Sequence, residues 1–351
     1  MVTIQGLKMK NLTIAILYGG KSTEHEVSVH SAGDVCLELQ KRYKILPIFI
    51  SKTGQWFLQK KCGFKTIQDI EIYPLVDGNL FDKKGKKYKI DLFFPVLHGT
   101  FGEDGCVQGL FETIGVKYIG CKVLASAIAM NKELSKEIAI KSNIPVLPWF
   151  SLNKNEKLDK KTILKNAGKL GYPIFVKPNS LGSSIGITKV NKESELFPAI
   201  ENAFKFENHI LVEKGLDNAR EIFCAVIEVK PNNFKASACG ELIKSDSEFF
   251  DYETKYHNPH GCDMEIPSKL PKNVQEKLRE YTKKFFIALG GTGLSRIDFL
   301  ISKDGRKLYF SEINTLPGLS KTSLFPNLLK EEGISYTKQL DILIKTALIK
   351  K

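Results

Sequence analysis

The sequence predicts an α/β and α+β chain of three units: an open, mostly parallel α/β sheet, then two smaller α+β units. Three observations carry this. At 351 residues the chain is too long for one small core. An apolar run, Leu12 to Tyr18, ends in the glycine turn Gly19-Gly20 and starts an alternation of strand and helix patterns. Near the other end, two strand-like runs carry acids: Asp298 in the first, Glu312 in the second.

The strand over 12–20 leads into a helix whose start carries a capping-box pattern, Thr23 with Glu26. Strands follow over 44–51 and 91–97, then a helix over 103–114 and a short strand over 116–119. Residues 1–125 thus form the first unit, with 1–10 read as a tag or extension. The run from Lys83 to Lys89 reads as a hairpin turning at Gly85. A helix over 123–142 ends at Pro145 and Pro148. Helix 158–170, strand 174–177, a glycine loop, strand 186–190, helix 193–206 and strand 209–213 make a compact unit over 126–215. Strands over 221–229 and 234–242 open the third unit, 216–351, and a polar and aromatic loop over 244–262 comes next. The helix over 273–289 lines Val274, Leu278, Tyr281, Phe285 and Leu289 along one face, and an amphipathic helix over 334–350 closes the chain.

Composition excludes several classes. Hydrophobic residues make up 42%, and no apolar run approaches a membrane span. The N-terminus lacks a signal-peptide pattern, so a cytoplasmic setting is expected. Seven cysteines, without a Cys-x-x-Cys pair, speak against zinc, redox motifs and a disulfide framework. The net charge of +13 invites a nucleic-acid reading, but the lysines are scattered and no aromatic-studded basic stripe accompanies them. Solvated surface, attractive to a polyanion, is the better reading.

Five segments carry chemistry. Glu312 and Asn314 stand at i and i+2 of a strand, on one face. With Asp298 they supply three hard oxygen ligands suited to Mg²⁺ on nucleotide phosphates; solvated strand-end carboxylates are the bland alternative. In Phe175-Val176-Lys177-Pro178 through Gly186, a strand lysine precedes Gly182, Ser183, Ser184 and Gly186. Exposed N–H groups and two hydroxyls there make an anion cradle, which becomes a phosphate lid if the metal set is real. Gly19-Gly20-Lys21-Ser22 imitates a P-loop, but Ala15 stands where the first glycine belongs; no Gly-x-Gly-x-x-Gly follows the strand either. Glu24 beside it is a dipole-stabilising residue or a counter-ion for an ammonium group. His98 opens a glycine-rich loop at a strand's carboxyl end, where open α/β sheets collect ligands, or else packs as a neutral ring. Glu213, ending an apolar strand, is placed to accept from a purine's exocyclic amine.

Together these segments resemble the bacterial D-alanine–D-alanine ligases of the ATP-grasp superfamily, from about residue 12 to the C-terminal helix. The pieces that carry the resemblance are Gly19 to Ser28, His98 to Gly105, Gly182 to Gly186, Phe250 to Tyr256 and Glu312 to Gly318. The resemblance implies an ATP-grasp fold, a homodimer, and ATP-dependent joining of two D-alanines through an acyl phosphate for peptidoglycan synthesis. It implies that Glu24 holds the first D-alanine's ammonium with His98 nearby. Lys132, Lys177 and Lys255 contact ATP phosphates, and Glu213, Leu216 and Glu221 frame the adenosine. Ser183 and Ser184 belong to the phosphate lid. Arg296 and the backbone at Gly318 stabilise the transferring groups. Asp298, Glu312 and Asn314 bind two Mg²⁺ or Mn²⁺ ions. Ser323 and Leu324 meet the second D-alanine, and Tyr256 meets Ser183 when the 244–262 loop closes. The chain departs from the common pattern in Asn131 before Lys132, in Phe250, and in one extra residue between Leu216 and Glu221. Rival readings are ligation of D-alanine to D-lactate or D-serine, and another ATP-grasp carboxylate–amine ligase.

Overall fold

The computed structural model describes residues 12–157, 159–244 and 262–349, which build three sheets. The first begins with β1 (Thr13–Gly19), buried at every position, as a strand covered on both faces must be. Helix α1 (His25–Leu39) returns the chain to β2 (Lys44–Ile50), parallel to β1. The parallel order stops there. Ser51 and Gln55 close a tight turn through Gly54 (φ +90°), far shorter than the crossover a parallel neighbour needs. So β3 (Trp56–Leu58), β4 (Ile70–Pro74), β5 (Leu80–Asp82) and β6 (Lys87–Tyr88) extend the sheet antiparallel. The last pair is the lysine-rich hairpin turned at Gly85. β7 (Leu92–Pro95) then lies parallel to β1 on its other side. The seven-stranded sheet is mixed around a parallel centre rather than mostly parallel.

Three local expectations are corrected in this unit. Glu24, without a capping side-chain bond, is the N-cap of α1, and Glu26 pairs with Lys52 at 2.6 Å instead of closing a capping box. The short strand over 116–119 reduces to one bridge, Phe93 with Tyr118. Cys36, on the buried face of α1, and Cys62, packed against the same core, are joined as a disulfide, a pairing across 26 residues that no short spacing announces. Helix α2 (Cys106–Thr113) follows the glycine-rich loop after β7.

The single helix expected over 123–142 is two. In α3 (Val123–Met130) and α4 (Lys132–Lys141) the ladder is interrupted at Asn131, whose backbone is extended and whose Oδ1 accepts from the Leu134 N–H at 2.9 Å. An N-cap asparagine offers the backbone a competing partner, which ends one helix and starts the next. The second sheet is antiparallel, in the order β10 (Thr188–Val190), β9 (Ile174–Pro178), β11 (His209–Lys214), β8 (Trp149–Asn153). Helices α5 (Lys160–Leu170) and α6 (Leu196–Ala203) share its core through Ile163, Ala167, Leu196 and Ile200.

The third sheet is also antiparallel: β14 (Cys262–Glu265), β13 (Asn233–Lys244), β12 (Arg220–Lys230), β15 (Leu294–Ile301), β16 (Leu308–Asn314). Helix α7 (Lys272–Ala288) buries Phe285 and Phe286 against it, and Phe285 stacks on Phe310 at 4.3 Å between centroids. Each such ring removed from water stabilises by about 1.5–3 kcal/mol. Helices α8 (Leu324–Lys330) and α9 (Tyr336–Ile349) complete the chain. Phe325, Leu340 and Ile344 join Ile14 and Phe94 in one core, so the first and third units are packed together. Among the described residues no helix is long and apolar enough to cross a membrane.

Candidate active site

A cleft of about 340 Å³ opens where the three units meet. Its walls bring together ten of the expected site residues: Glu24, His98, Lys132, Ser183, Arg296, Glu312, Asn314, Gly318, Ser323 and Leu324. Lys177, Ser184, Glu213, Leu216, Glu221 and Asp298 lie outside this lining. Lys255 and Tyr256 lie outside the described residues.

From the first unit, Glu24 reaches the cleft because the chain is stitched tightly at the end of β1. The Gly19 N–H donates to Ser28 Oγ at 2.8 Å, and Ser28 Oγ donates on to the Val96 carbonyl beside β7. The Glu24 carboxylate then lies beside two glycines. A Cβ at Gly99 would stand 2.7 Å from Glu24 Oε2, and one at Gly182 would stand 3.9 Å away. The glycine loop of the second unit therefore approaches the acid of the first.

His98 is buried, and its Nδ1 meets the Leu316 carbonyl at 2.8 Å. Burial outweighs the nearby Glu24 charge and holds the imidazole below the ordinary histidine range. A neutral ring with its proton on Nδ1 leaves Nε2 as an acceptor, and Nε2 is buried without a hydrogen-bond partner among the described residues. Glu103, whose role no local pattern in the sequence signals, completes the seam. Its two oxygens accept from the Gly99 N–H at 2.8 Å and the Leu316 N–H at 3.0 Å. Burial first, then Glu24, pushes its carboxyl up to about 8. The Leu316 peptide is thus held at both ends, N–H by Glu103 and carbonyl by His98, which fixes the turn that carries Gly318.

From the second unit come the lysines and the glycine-serine loop. The break at Asn131 places Lys132 in the first turn of α4, where its Nζ donates to the Leu181 carbonyl and its ammonium feels Glu312. Ser183 and Ser184 both have positive φ, +52° and +59°, conformations that cost side-chain-bearing residues energy and turn successive N–H groups into a concavity. Glu213 differs from its expected environment. It is buried and ion-paired with Lys177 and with Lys136, a residue the sequence reading passed over. Leu216 and Glu221 are half-buried on either side of the turn between β11 and β12.

From the third unit, β15 and β16 set Asp298 opposite Glu312 and Arg296 opposite Asn314, and a bulge follows Asp298. Bulges commonly re-aim side chains beside active sites. Arg296 grips Asp298 in two parallel bonds, Nε to Oδ1 at 2.8 Å and Nη2 to Oδ2 at 2.7 Å, and Asn314 Nδ2 donates to the same carboxylate at 3.3 Å. Two carboxylates and an amide on facing strands are a hard-oxygen donor set that fits Mg²⁺ or Mn²⁺. Among the described residues no group of three or more His, Cys, Asp or Glu is gathered as a metal site. Gly318 packs on Ser323, whose Oγ a Cβ would approach to 2.9 Å, and Ser323 is the N-cap of α8.

A backbone lid on one antiparallel sheet, facing paired acids on another, is the architecture of the ATP-grasp ligases. The chain superposes on D-alanyl-alanine synthetase A from Vibrio cholerae with a TM-score of 0.87 and 32% identity, covering 97% of this chain and 100% of the other. For the VanG D-Ala:D-Ser ligase from Enterococcus faecalis the values are 0.85 and 31%, over 96% and 99%. The family description D-ala D-ala ligase N-terminus matches residues 13–121, and D-ala D-ala ligase C-terminus matches 138–345. The D-alanine–D-alanine ligases of Caldicellulosiruptor bescii and Thermoanaerobacter sp. are each 39% identical, over 97% of this chain and 96% and 97% of their own. The chain belongs to the D-alanine–D-alanine ligase family.

Proposed function

We propose that this ADP-forming ligase uses ATP to join two molecules of D-alanine into D-alanyl-D-alanine, a building block of peptidoglycan, with the residues of the cleft in the following roles. The observation that carries the reading is the convergence in one cleft of an ammonium site (Glu24, His98), the Ser183 end of a phosphate lid, the clamped turn from Leu316 to Gly318, and Glu312 and Asn314 of the oxygen-donor set.

The first D-alanine sits with its ammonium at Glu24 and within reach of the acceptor Nε2 of His98. Its carboxylate oxygen attacks the γ-phosphorus of ATP, the bond to ADP breaks, and an acyl phosphate forms. The second D-alanine, its carboxylate at Ser323 and its methyl group toward Leu324, gives one ammonium proton to solvent before the site closes and attacks the acyl carbon, and its second proton departs with the phosphate. The C–N bond forms and phosphate leaves. Arg296 and the N–H at Gly318 stabilise the oxyanion of that tetrahedral state, where preorganised donors act most strongly. Lys132, Lys177 and Lys255 hold ATP phosphates, and Glu213, Leu216 and Glu221 hold the adenosine. Two Mg²⁺ or Mn²⁺ ions held by Asp298, Glu312 and Asn314 would neutralise charge on the phosphoryl oxygens. Tyr256 closes over Ser183 and keeps water from the acyl phosphate. The three sheets support a division near residues 125 and 215. A cytoplasmic homodimer suits a consumer of ATP of this family.

Incubation with ATP, Mg²⁺ and a panel of D- and L-alanine, D-serine and D-lactate tests the assignment. The expected product is D-alanyl-D-alanine with one ADP and one phosphate per dipeptide; a main product containing D-lactate or D-serine overturns it.

A further inference from the structure

We infer that Lys136 is a positioning residue of the nucleotide site: it is the permanent counter-ion of Glu213, and it thereby frees Lys177 to move to the phosphates of the nucleotide. The inference rests on the proposal that Glu213 and Lys177 belong to the ATP site.

Lys132 and Lys136 are four residues apart on α4, hence on one face of the helix. Lys132 lines the cleft, and Lys136, one turn deeper, meets Glu213. Lys177 approaches the same carboxylate from β9, the strand beside β11. The two ammonium groups differ in access. The Lys136 side chain is 1% exposed and that of Lys177 14%, with Glu213 at 7% between them. Besides Glu213, Lys136 Nζ faces the ring of Trp149, 5.3 Å from its centroid. It is enclosed, and no phosphate can reach it without moving the helix. Lys177 is at the open side.

A buried carboxylate stripped of its only cation is costly, because neither water nor a second partner replaces the lost charge. With Lys136 in place, Lys177 can leave Glu213 for a phosphate and the carboxylate stays ionised and fixed, ready to accept a hydrogen bond from the base. Although burial alone would raise it, Lys136 and Lys177 together hold the Glu213 carboxyl down to about 2. Without Lys136, Lys177 is, among the described residues, the one cation paired with Glu213, and the nucleotide must compete with that carboxylate for it.

The test is a double-variant cycle in the full chain, with KM for ATP and for D-alanine and binding of the β,γ-imido analogue of ATP as readouts. Lys136→Met should raise the KM for ATP by about tenfold or more, equivalent to about 1.4 kcal/mol, and leave the KM for D-alanine little changed. In a Glu213→Gln background, where Lys177 has no carboxylate to hold it, adding Lys136→Met should cost almost nothing further. Use of inosine triphosphate, which lacks the exocyclic amine, should suffer less from Lys136→Met than use of ATP. A purely structural lysine would weaken both substrates and both nucleotides alike. If Lys136→Met does not fold, Lys136→Gln carries the same comparison. An unchanged KM for ATP, or equal losses in both backgrounds, overturns the inference alone. A wild-type chain without ATP-dependent turnover overturns the reading of the site as well.

Discussion

Replacing Glu103 by glutamine removes one titrating proton from the seam between the 98–105 loop and the Leu316 turn. The folded wild-type carboxyl keeps its proton up to about pH 8, whereas its ordinary value is 4.5. Between those values the folded chain binds one proton more than the unfolded chain. Stability is therefore full below the lower value and declines as pH rises toward the upper one, by about 1.4 kcal/mol per pH unit. His98, held low by burial, works in the opposite sense near its ordinary value of 6.5, but it is present in both proteins and largely cancels in the comparison. Glu103→Gln has no such proton. Its amide also turns an N–H toward one of the two backbone donors, at Gly99 or Leu316, and leaving one buried donor unpaired costs about 1–3 kcal/mol. The variant should be the less stable protein at about pH 5.5 and gain on the wild type by about 3 kcal/mol by about pH 7.5. Urea unfolding followed by the fluorescence of Trp56 and Trp149 at several pH values measures this. Parallel stability profiles for the two proteins would refute the raised carboxyl.

Three further outcomes are expected. Glu312→Gln should cut Mg²⁺-dependent turnover by about a hundredfold or more with an unchanged urea midpoint, since the residue lines the cleft rather than the core; near-wild-type turnover would remove it from the donor set. Asn131→Ala should cost about 1 kcal/mol through loss of the α4 cap and raise the KM for ATP by displacing Lys132; calorimetry and steady-state kinetics read the two effects. Phe285→Ala should cost about 3–5 kcal/mol, because the ring is wholly buried and stacked on Phe310; a loss below about 1 kcal/mol would contradict the packing described for α7.

What could be read from the chain alone follows a physical divide. β1 was legible because a strand buried on both faces is an unbroken apolar run, and the β15–β16 pair because Glu312 and Asn314 alternate with apolar neighbours. The strands β3 to β6 were hidden, apart from the hairpin at Gly85, because each has two to five residues and partly exposed positions. The break at Asn131 was hidden because the apolar pattern continues through it, and a single cap outweighs that pattern only in its tertiary setting. Glu103 and Lys136 escaped notice for a different reason. Their partners, Leu316 and Glu213, are brought to them by the fold across long stretches of chain, and local spacing carries no trace of a non-local contact.

The central claim, activation of one D-alanine carboxylate by phosphoryl transfer, is tested most directly by following its oxygen. With D-alanine labelled in both carboxylate oxygens by ¹⁸O, the first D-alanine must give one labelled oxygen to phosphate as the acyl phosphate is displaced. Mass spectrometry should find one ¹⁸O in each phosphate released and one in the peptide carbonyl of D-alanyl-D-alanine. Phosphate free of label, formed while the dipeptide accumulates, would contradict the account.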